Sequence, residues 1–383
     1  MDATTHGKIS RRGFWAAVLF YLLIAFEFFY MASPFAVYFY SVYRPGLEVL
    51  GRFPHLAWLG SFFLPHIAAE TRSVPVNLHN GAGMALLIAG LGAFLIGAGQ
   101  VYYRKLTKKG PAVGGVYRFI RHPQYLSLGV SGLGLLFLWP RYIVLATYVT
   151  VLFAYYLLAR LEERECLVKF GKPYEAYLAT TGMFLPVRMP SSRRPGRSAG
   201  SGAMRAAAVT VAYLLVMGGA FGAARGVERL SVRSLYASYT PDSATVSLVK
   251  MGEADLKRII ETGTADPRVR ERLEAGNADS PARYLNYVLP ADRYVSEIPM
   301  NPIGPDEGNH FLRSGYSGSV YRIVLTRAVP KNGEIAHGRE ILAGTAYTEP
   351  LAEVLVDTGN WSVVGVEDPA QTGRYDGVPM PVF

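Results

Sequence analysis

The sequence predicts an α-helical integral membrane protein with about five transmembrane helices, followed by a C-terminal α+β soluble domain. Three observations lead to that class. Long apolar runs crowd the first 224 residues, at 14–40, 81–103, 125–139, 142–159 and 204–224. Basic residues gather between those runs. From residue 225 onward the composition becomes that of a domain meant for water. Half of the 383 residues are hydrophobic and only 18% are charged, so the division is sharp.

A helical span needs about 20 apolar residues, with about 17 as a lower limit. Residues 14–40 exceed that limit. Their apolar stretch is too long for the h-region of a cleavable leader, carries Glu27, and lacks a clean small-residue cleavage site, so it is expected to stay as a helix. Residues 56–69 are too short and contain Pro65, which suits an interfacial, re-entrant or partly buried loop. Residues 81–103 are rich in glycine (Gly81, Gly83, Gly90, Gly92, Gly97 and Gly99), a composition that lets helices approach closely. Residues 125–139 are short for a span, but Pro140-Arg141 makes a natural tip joining them to 142–159 as a hairpin. Tyr30, Tyr38, Tyr40 and Tyr43 read as an interfacial aromatic belt.

These runs divide the chain into a membrane domain at 1–187 with four helices, a linker at 188–203, a fifth helix at 204–224 and a soluble domain at 225–383. The linker is built of Pro, Gly, Ser and Arg, which cannot bury a core. In the soluble domain, residues 245–250, 319–327, 351–357 and 362–367 carry strand signals, and 253–261 and 267–275 carry helical ones. About 155 residues suffice for a separate core. This domain is expected to fold on its own and to take no part in the chemistry.

Charge sets the expected orientation. Residues 225–383 hold 17 Lys and Arg against 21 Asp and Glu, whereas the rest of the chain holds 22 against 8. The positive residues concentrate at 8–12, 104–121 and 160–197, which share one side of a five-helix path. Positive segments stay in the cytoplasm. The N-terminus is therefore expected there, with residues 225–383 on the extracytoplasmic or periplasmic side. Topology and anionic lipid headgroups account for the basic stretches, and no nucleic-acid-binding module accompanies them. Cys166 is the only cysteine, so no internal disulfide and no zinc site of the usual Cys/His type is available.

The chemistry concentrates at the two feet of the hairpin. Before it stand Gly115-Val116-Tyr117 and Arg121-His122-Pro123-Gln124-Tyr125. After it come Arg160-Leu161-Glu162-Glu163, Phe170-Gly171, Tyr174, Tyr177 and Phe184-Leu185-Pro186. Polar groups at a membrane edge are costly unless something needs them. Read separately, each has a plain alternative: Arg118 and Arg121 as snorkelling anchors, His122-Pro123 as a helix start, and Glu162 and Glu163 as a solvated helix face with Arg160 and Arg164. Their order around one hairpin favours a charged pocket.

This ordered set resembles the isoprenylcysteine carboxyl methyltransferase and phospholipid methyltransferase superfamily of integral membrane enzymes, over roughly residues 80–187. Val116 stands where a Pro is common and Ser127 where a Gly is common, and neither change removes a charged group. The resemblance implies S-adenosyl-L-methionine as cofactor, with His122, Tyr125 and Glu162 lining its site. By chemical complement, Glu162, Glu163, Arg121 and His122 suit that cofactor's charged ends and ribose hydroxyls, and Tyr117 and Tyr125 are expected to flank its adenine. The resemblance further implies Arg160 and Glu163 near the acceptor, which is a prenylcysteine carboxylate, a phospholipid amine or a small thiol in different members. Nothing comparable covers residues 225–383. A non-catalytic, methyltransferase-like subunit that docks on a membrane protein complex through residues 225–383 is the alternative, since an extracytoplasmic domain is not required for methyl transfer at a cytoplasmic pocket. A nicotinamide-dependent reductase of related membrane fold is a third reading, for which no Gly-x-Gly-x-x-Gly fingerprint is present.

Overall fold

The computed structural model describes residues 53–68, 70–186, 202–276, 282–295, 298–301, 318–330 and 336–370. The expected first span at 14–40, with Glu27 and its tyrosines, the basic segment at 8–12 and nearly all of the linker lie outside the described residues.

Three helices form the membrane-type unit: α1 (His79–Leu106), α2 (Pro123–Leu138) and α3 (Tyr142–Phe170). A short helix, α4 (Lys172–Thr180), follows Gly171, and α5 spans Gly202–Ser234. Among the described residues, His79–Leu106, Tyr142–Phe170 and Ala206–Ser234 are long and apolar enough to cross a membrane. Helix α2 has 16 residues, about 24 Å at 1.5 Å per residue, short of a hydrocarbon core about 30 Å thick. A count of five spans is thus not established. The α2–α3 hairpin turns at Pro140-Arg141 as expected.

Helices α1 and α2 approach through small residues. A methyl group added at Gly134 would lie 2.5 Å from the Leu87 nitrogen and 2.6 Å from the Gly83 carbonyl oxygen. Gly83, Gly90 and Gly97 meet α2 or the residues leading into it, whereas Gly81, Gly92 and Gly99 have no such neighbour within 4 Å. The packing role read from the glycine-rich run therefore falls on every seventh residue, two helical turns apart.

The C-terminal unit is a six-stranded mixed sheet in the order β1-β2-β3-β4-β5-β6: Tyr236–Tyr239, Ser243–Ser247, Tyr284–Pro290, Val320–Pro330, Thr345–Asp357 and Ser362–Glu367. β2 and β3 pair in parallel, and the other neighbours are antiparallel. The parallel pair needs a crossover, supplied by α6 (Glu253–Ala265) and α7 (Pro267–Gly276). Side chains alternate across β4 with the strand period of two. Ile323 and Leu325 face Leu256, Ile259 and Val269, while Val324 joins the core on the opposite face.

That second core draws on residues outside 225–383. Phe62 and Ile67, from the loop ahead of α1, pack with Leu235, Val246, Leu248 and Tyr287. The loop is therefore largely buried, one of the outcomes expected for residues 56–69. Helix α5 also runs unbroken through residue 225 to Ser234, where the Ser234 carbonyl accepts from the Arg72 amide at 2.6 Å.

The same end holds the hairpin tip. Phe63 N–H donates to the Pro140 carbonyl at 2.9 Å, Tyr142 N–H to Ser61 at 3.1 Å, and the Arg141 guanidinium to Gly60 at 2.6 Å. The Tyr142 hydroxyl donates to Glu228 of α5 at 2.5 Å, and Arg225 lies over the rings of Trp58 and Tyr142. These contacts tie the sheet to the hairpin tip, far from the hairpin's feet. From Tyr142 to Glu163 along α3 is about 31 Å at 1.5 Å per residue.

Candidate functional site at the feet of the hairpin

The site begins where the chain enters α2. His122 is the N-cap and Pro123 takes the first turn, where its missing N–H costs nothing. Just before it, Ile120 forms a parallel bridge with Gly182. Arg121 N–H donates to the Gly182 carbonyl at 2.9 Å and His122 N–H to Met183 at 3.1 Å. The segment after α4 thus lies beside the foot of α2 and satisfies its backbone. Helix α3 ends at Gly171, whose φ of +61° suits glycine and redirects the chain into α4.

On this frame five of the expected residues converge. Arg121 Nε donates to Glu163 Oε1 at 2.6 Å. The Arg121 Nη1 donates to the carbonyls of Leu178, at 3.2 Å, and Thr181. His122 Nδ1 lies 3.5 Å from Glu162 Oε2. Its Nε2 lies 3.4 Å from Glu163 Oε1 but without hydrogen-bond alignment, so that contact is Coulombic. The Tyr125 hydroxyl donates to Glu162 Oε1, and the Tyr125 ring stacks on His122 at 5.7 Å between centroids.

Exposure separates the two carboxylates. The Glu163 side chain is 9% exposed and held by Arg121, whereas that of Glu162 is 41% exposed and open to a ligand. Burial of the His122 ring disfavours its charged form, but the neighbouring carboxylates, Glu162 first and then Glu163, outweigh it and raise the pKa above the usual imidazole value.

Tyr117 stands at the wall of the cluster. It is buried, and its hydroxyl donates to the Gly97 carbonyl at 3.3 Å. Its own carbonyl accepts from the Tyr177 hydroxyl at 2.5 Å. Burial, then the charge of Glu162, raises the Tyr117 pKa. Arg160 is the expected residue that does not join: it is exposed, without a hydrogen bond or ion pair to any described residue. Sequence reasoning missed Tyr155, which stacks on Tyr125 at 4.8 Å. Its position seven residues before Glu162, two turns up the same helix face, was the available signal.

Residues 83–172 match the phospholipid methyltransferase family. The match opens within α1 and closes just after α3, so the matched segment includes Tyr117, Arg121, His122, Tyr125, Glu162 and Glu163. It agrees with the superfamily that the hairpin's motifs resemble, and it leaves residues 225–383 unmatched. No curated protein and no solved structure matches the chain.

Proposed function

We propose that the chain is a membrane-embedded S-adenosyl-L-methionine-dependent methyltransferase acting on a small or amphiphilic acceptor that presents a carboxylate, amine or thiol. The observation that carries this reading is the convergence of His122, Tyr125, Glu162 and Glu163 within the segment that matches a methyltransferase family. When bound, the cofactor supplies a methyl group already activated on a sulfonium.

The residues fit that cofactor's polar groups. An ammonium and a ribose diol need acceptors, and the open carboxylate of Glu162 is one. A cofactor carboxylate needs a donor, and His122 Nε2 is a buried ring nitrogen without a hydrogen-bond partner. Tyr125 fixes Glu162 through its hydroxyl and offers its ring beside the imidazole. Arg121 is committed to Glu163 and two backbone carbonyls, so it positions the site rather than meeting the cofactor. Glu163, held beside the imidazole by Arg121, is proposed as the proton or charge partner on the acceptor side.

Calorimetric titration of the full chain in nanodiscs with S-adenosylhomocysteine tests the reading. Wild type should bind, and Glu162→Gln should weaken binding about ten- to a hundredfold, the cost of one charge-assisted hydrogen bond. Equal affinity in both would remove Glu162 from the site, and no binding to wild type would end the reading.

The proposed orientation puts residues 104–122 and 160–203 in the cytoplasm and residues 225–383 on the opposite side. Its support is the charge asymmetry together with the sheet's attachment about 31 Å along α3 from Glu163. Cysteines placed at Ser198 and Ser243 should label from opposite sides, and labelling of both from one side would reject it. The distance between sheet and site also supports a partner-binding role for residues 225–383, within a membrane complex, beside the methyl transfer.

A further inference from the structure

Gln100 is a polar residue on a largely apolar helix, and the methyl-transfer reading does not use it. It lies on α1, one turn beyond Gly97, and faces the loop that returns toward α2. Its carboxamide reads one peptide turn from both sides. Nε2 donates to the Gly114 carbonyl, and Oε1 accepts from the Val116 amide at 3.3 Å.

The residue between those partners is Gly115, with φ of +61°. A methyl group there would lie 2.6 Å from both Nε2 and Oε1 of Gln100. The Gln100 carboxamide thus occupies the space a side chain at 115 would need, so a larger residue there would push it off the turn. Gly114 to Arg118 then turn as a single 3-10 turn, with the Tyr117 amide donating to Gly114 at 3.2 Å. That turn delivers Tyr117 to the site wall, with its hydroxyl on Gly97 and its carbonyl on Tyr177 of α4. Four and five residues after Tyr117 come Arg121 and His122.

Resting on the methyltransferase reading, we propose that Gln100 is a positioning residue for the cofactor site, setting through its carboxamide the Gly114–Val116 turn that places Tyr117. It acts through that loop and touches no reacting atom. A methionine at this position keeps the bulk and loses both hydrogen bonds, which separates positioning from packing.

The test titrates S-adenosylhomocysteine into the full chain as wild type, Gln100→Met, Gly115→Ala and the double variant. Expected is a loss of about tenfold in affinity for Gln100→Met, with the unfolding temperature of the ligand-free protein unchanged and faster hydrogen exchange at the Val116 amide. Gly115→Ala should give a similar loss, and the double variant should be no weaker than Gly115→Ala alone, because both act on one contact. Affinity of Gln100→Met within about twofold of wild type, additive losses, or a loss that simply follows a lowered unfolding temperature would each overturn the proposal. Absence of binding to wild type would instead overturn the methyltransferase reading, and this inference with it.

Discussion

Arg121 and Glu163 meet at 2.6 Å between Nε and Oε1, joining the residue ahead of α2 to one 42 positions further along the chain. The same guanidinium takes the carbonyls of Leu178 and Thr181. One side chain thereby fastens the foot of α2, the lower part of α3 and the segment after α4. Removing one partner of a nearly buried ion pair leaves the other uncompensated, at about 3–5 kcal/mol. Arg121→Met should therefore lower the unfolding temperature measured in detergent by several degrees or more, while Arg160→Met, on an exposed face, should leave it within experimental scatter. Equal effects from the two variants would refute this division of labour.

His122 makes stability depend on pH. Its folded pKa is raised above the ordinary imidazole value because Glu162 and Glu163 outweigh the cost of burying its charge. A raised pKa favours the protonated folded state, so this contribution is fully present below about pH 6.5 and is lost as pH rises through the folded value. Unfolding temperatures of wild type and His122→Asn, followed from pH 5.5 upward (roughly one unit below an ordinary imidazole pKa), should converge as pH increases. A constant gap across that window would show that the ring is held for its shape alone.

Gly134→Ala should be harmful and Gly92→Ala harmless. A methyl group at 134 meets backbone atoms of Leu87 and Gly83 at 2.5 and 2.6 Å, whereas at 92 nothing lies within 4 Å. Backbone cannot rotate aside, so α1 and α2 must separate, at about 1–3 kcal/mol for overpacking. Thermal unfolding of both variants in the same detergent checks this. Comparable stability would mean the helices are not in contact along that seam.

Phe62→Ala should weaken the sheet although it lies far ahead of it in sequence. The ring is 1% exposed, packs in the sheet's second core and carries the Arg141 guanidinium over its face at 3.9 Å. Truncating a buried phenylalanine costs about 3–5 kcal/mol. Limited proteolysis should show faster cleavage between β1 and β6 in the variant, while S-adenosylhomocysteine affinity stays within about twofold, since the site lies at the other end of α3. A proteolysis pattern identical to wild type would show that residues 225–383 stand alone.

The sequence by itself determined the periodic and compositional features. Apolar length marked α1, α3 and α5, β-branched runs and the turns that bound them marked β2, β4, β5 and β6, and the helical signals at 253–261 and 267–275 became α6 and α7. The charged motifs at the hairpin's feet marked the site, because a hairpin forces its two ends together whatever its packing. Other features depended on contacts between distant segments. β1 and β3 were missed: Tyr236–Tyr239 is too short for a pattern, and Tyr284–Pro290 is buried along most of its length, so it shows no alternation. Only the tertiary structure decided that Glu162 opens outward while Glu163 is held by Arg121, that Arg160 stays apart, and that Phe62 and Ile67 complete the core of the sheet. Helical periodicity gives a residue's angle around its own axis. Which neighbour occupies that angle is set by the packing of other helices and loops, and no local pattern carries that information.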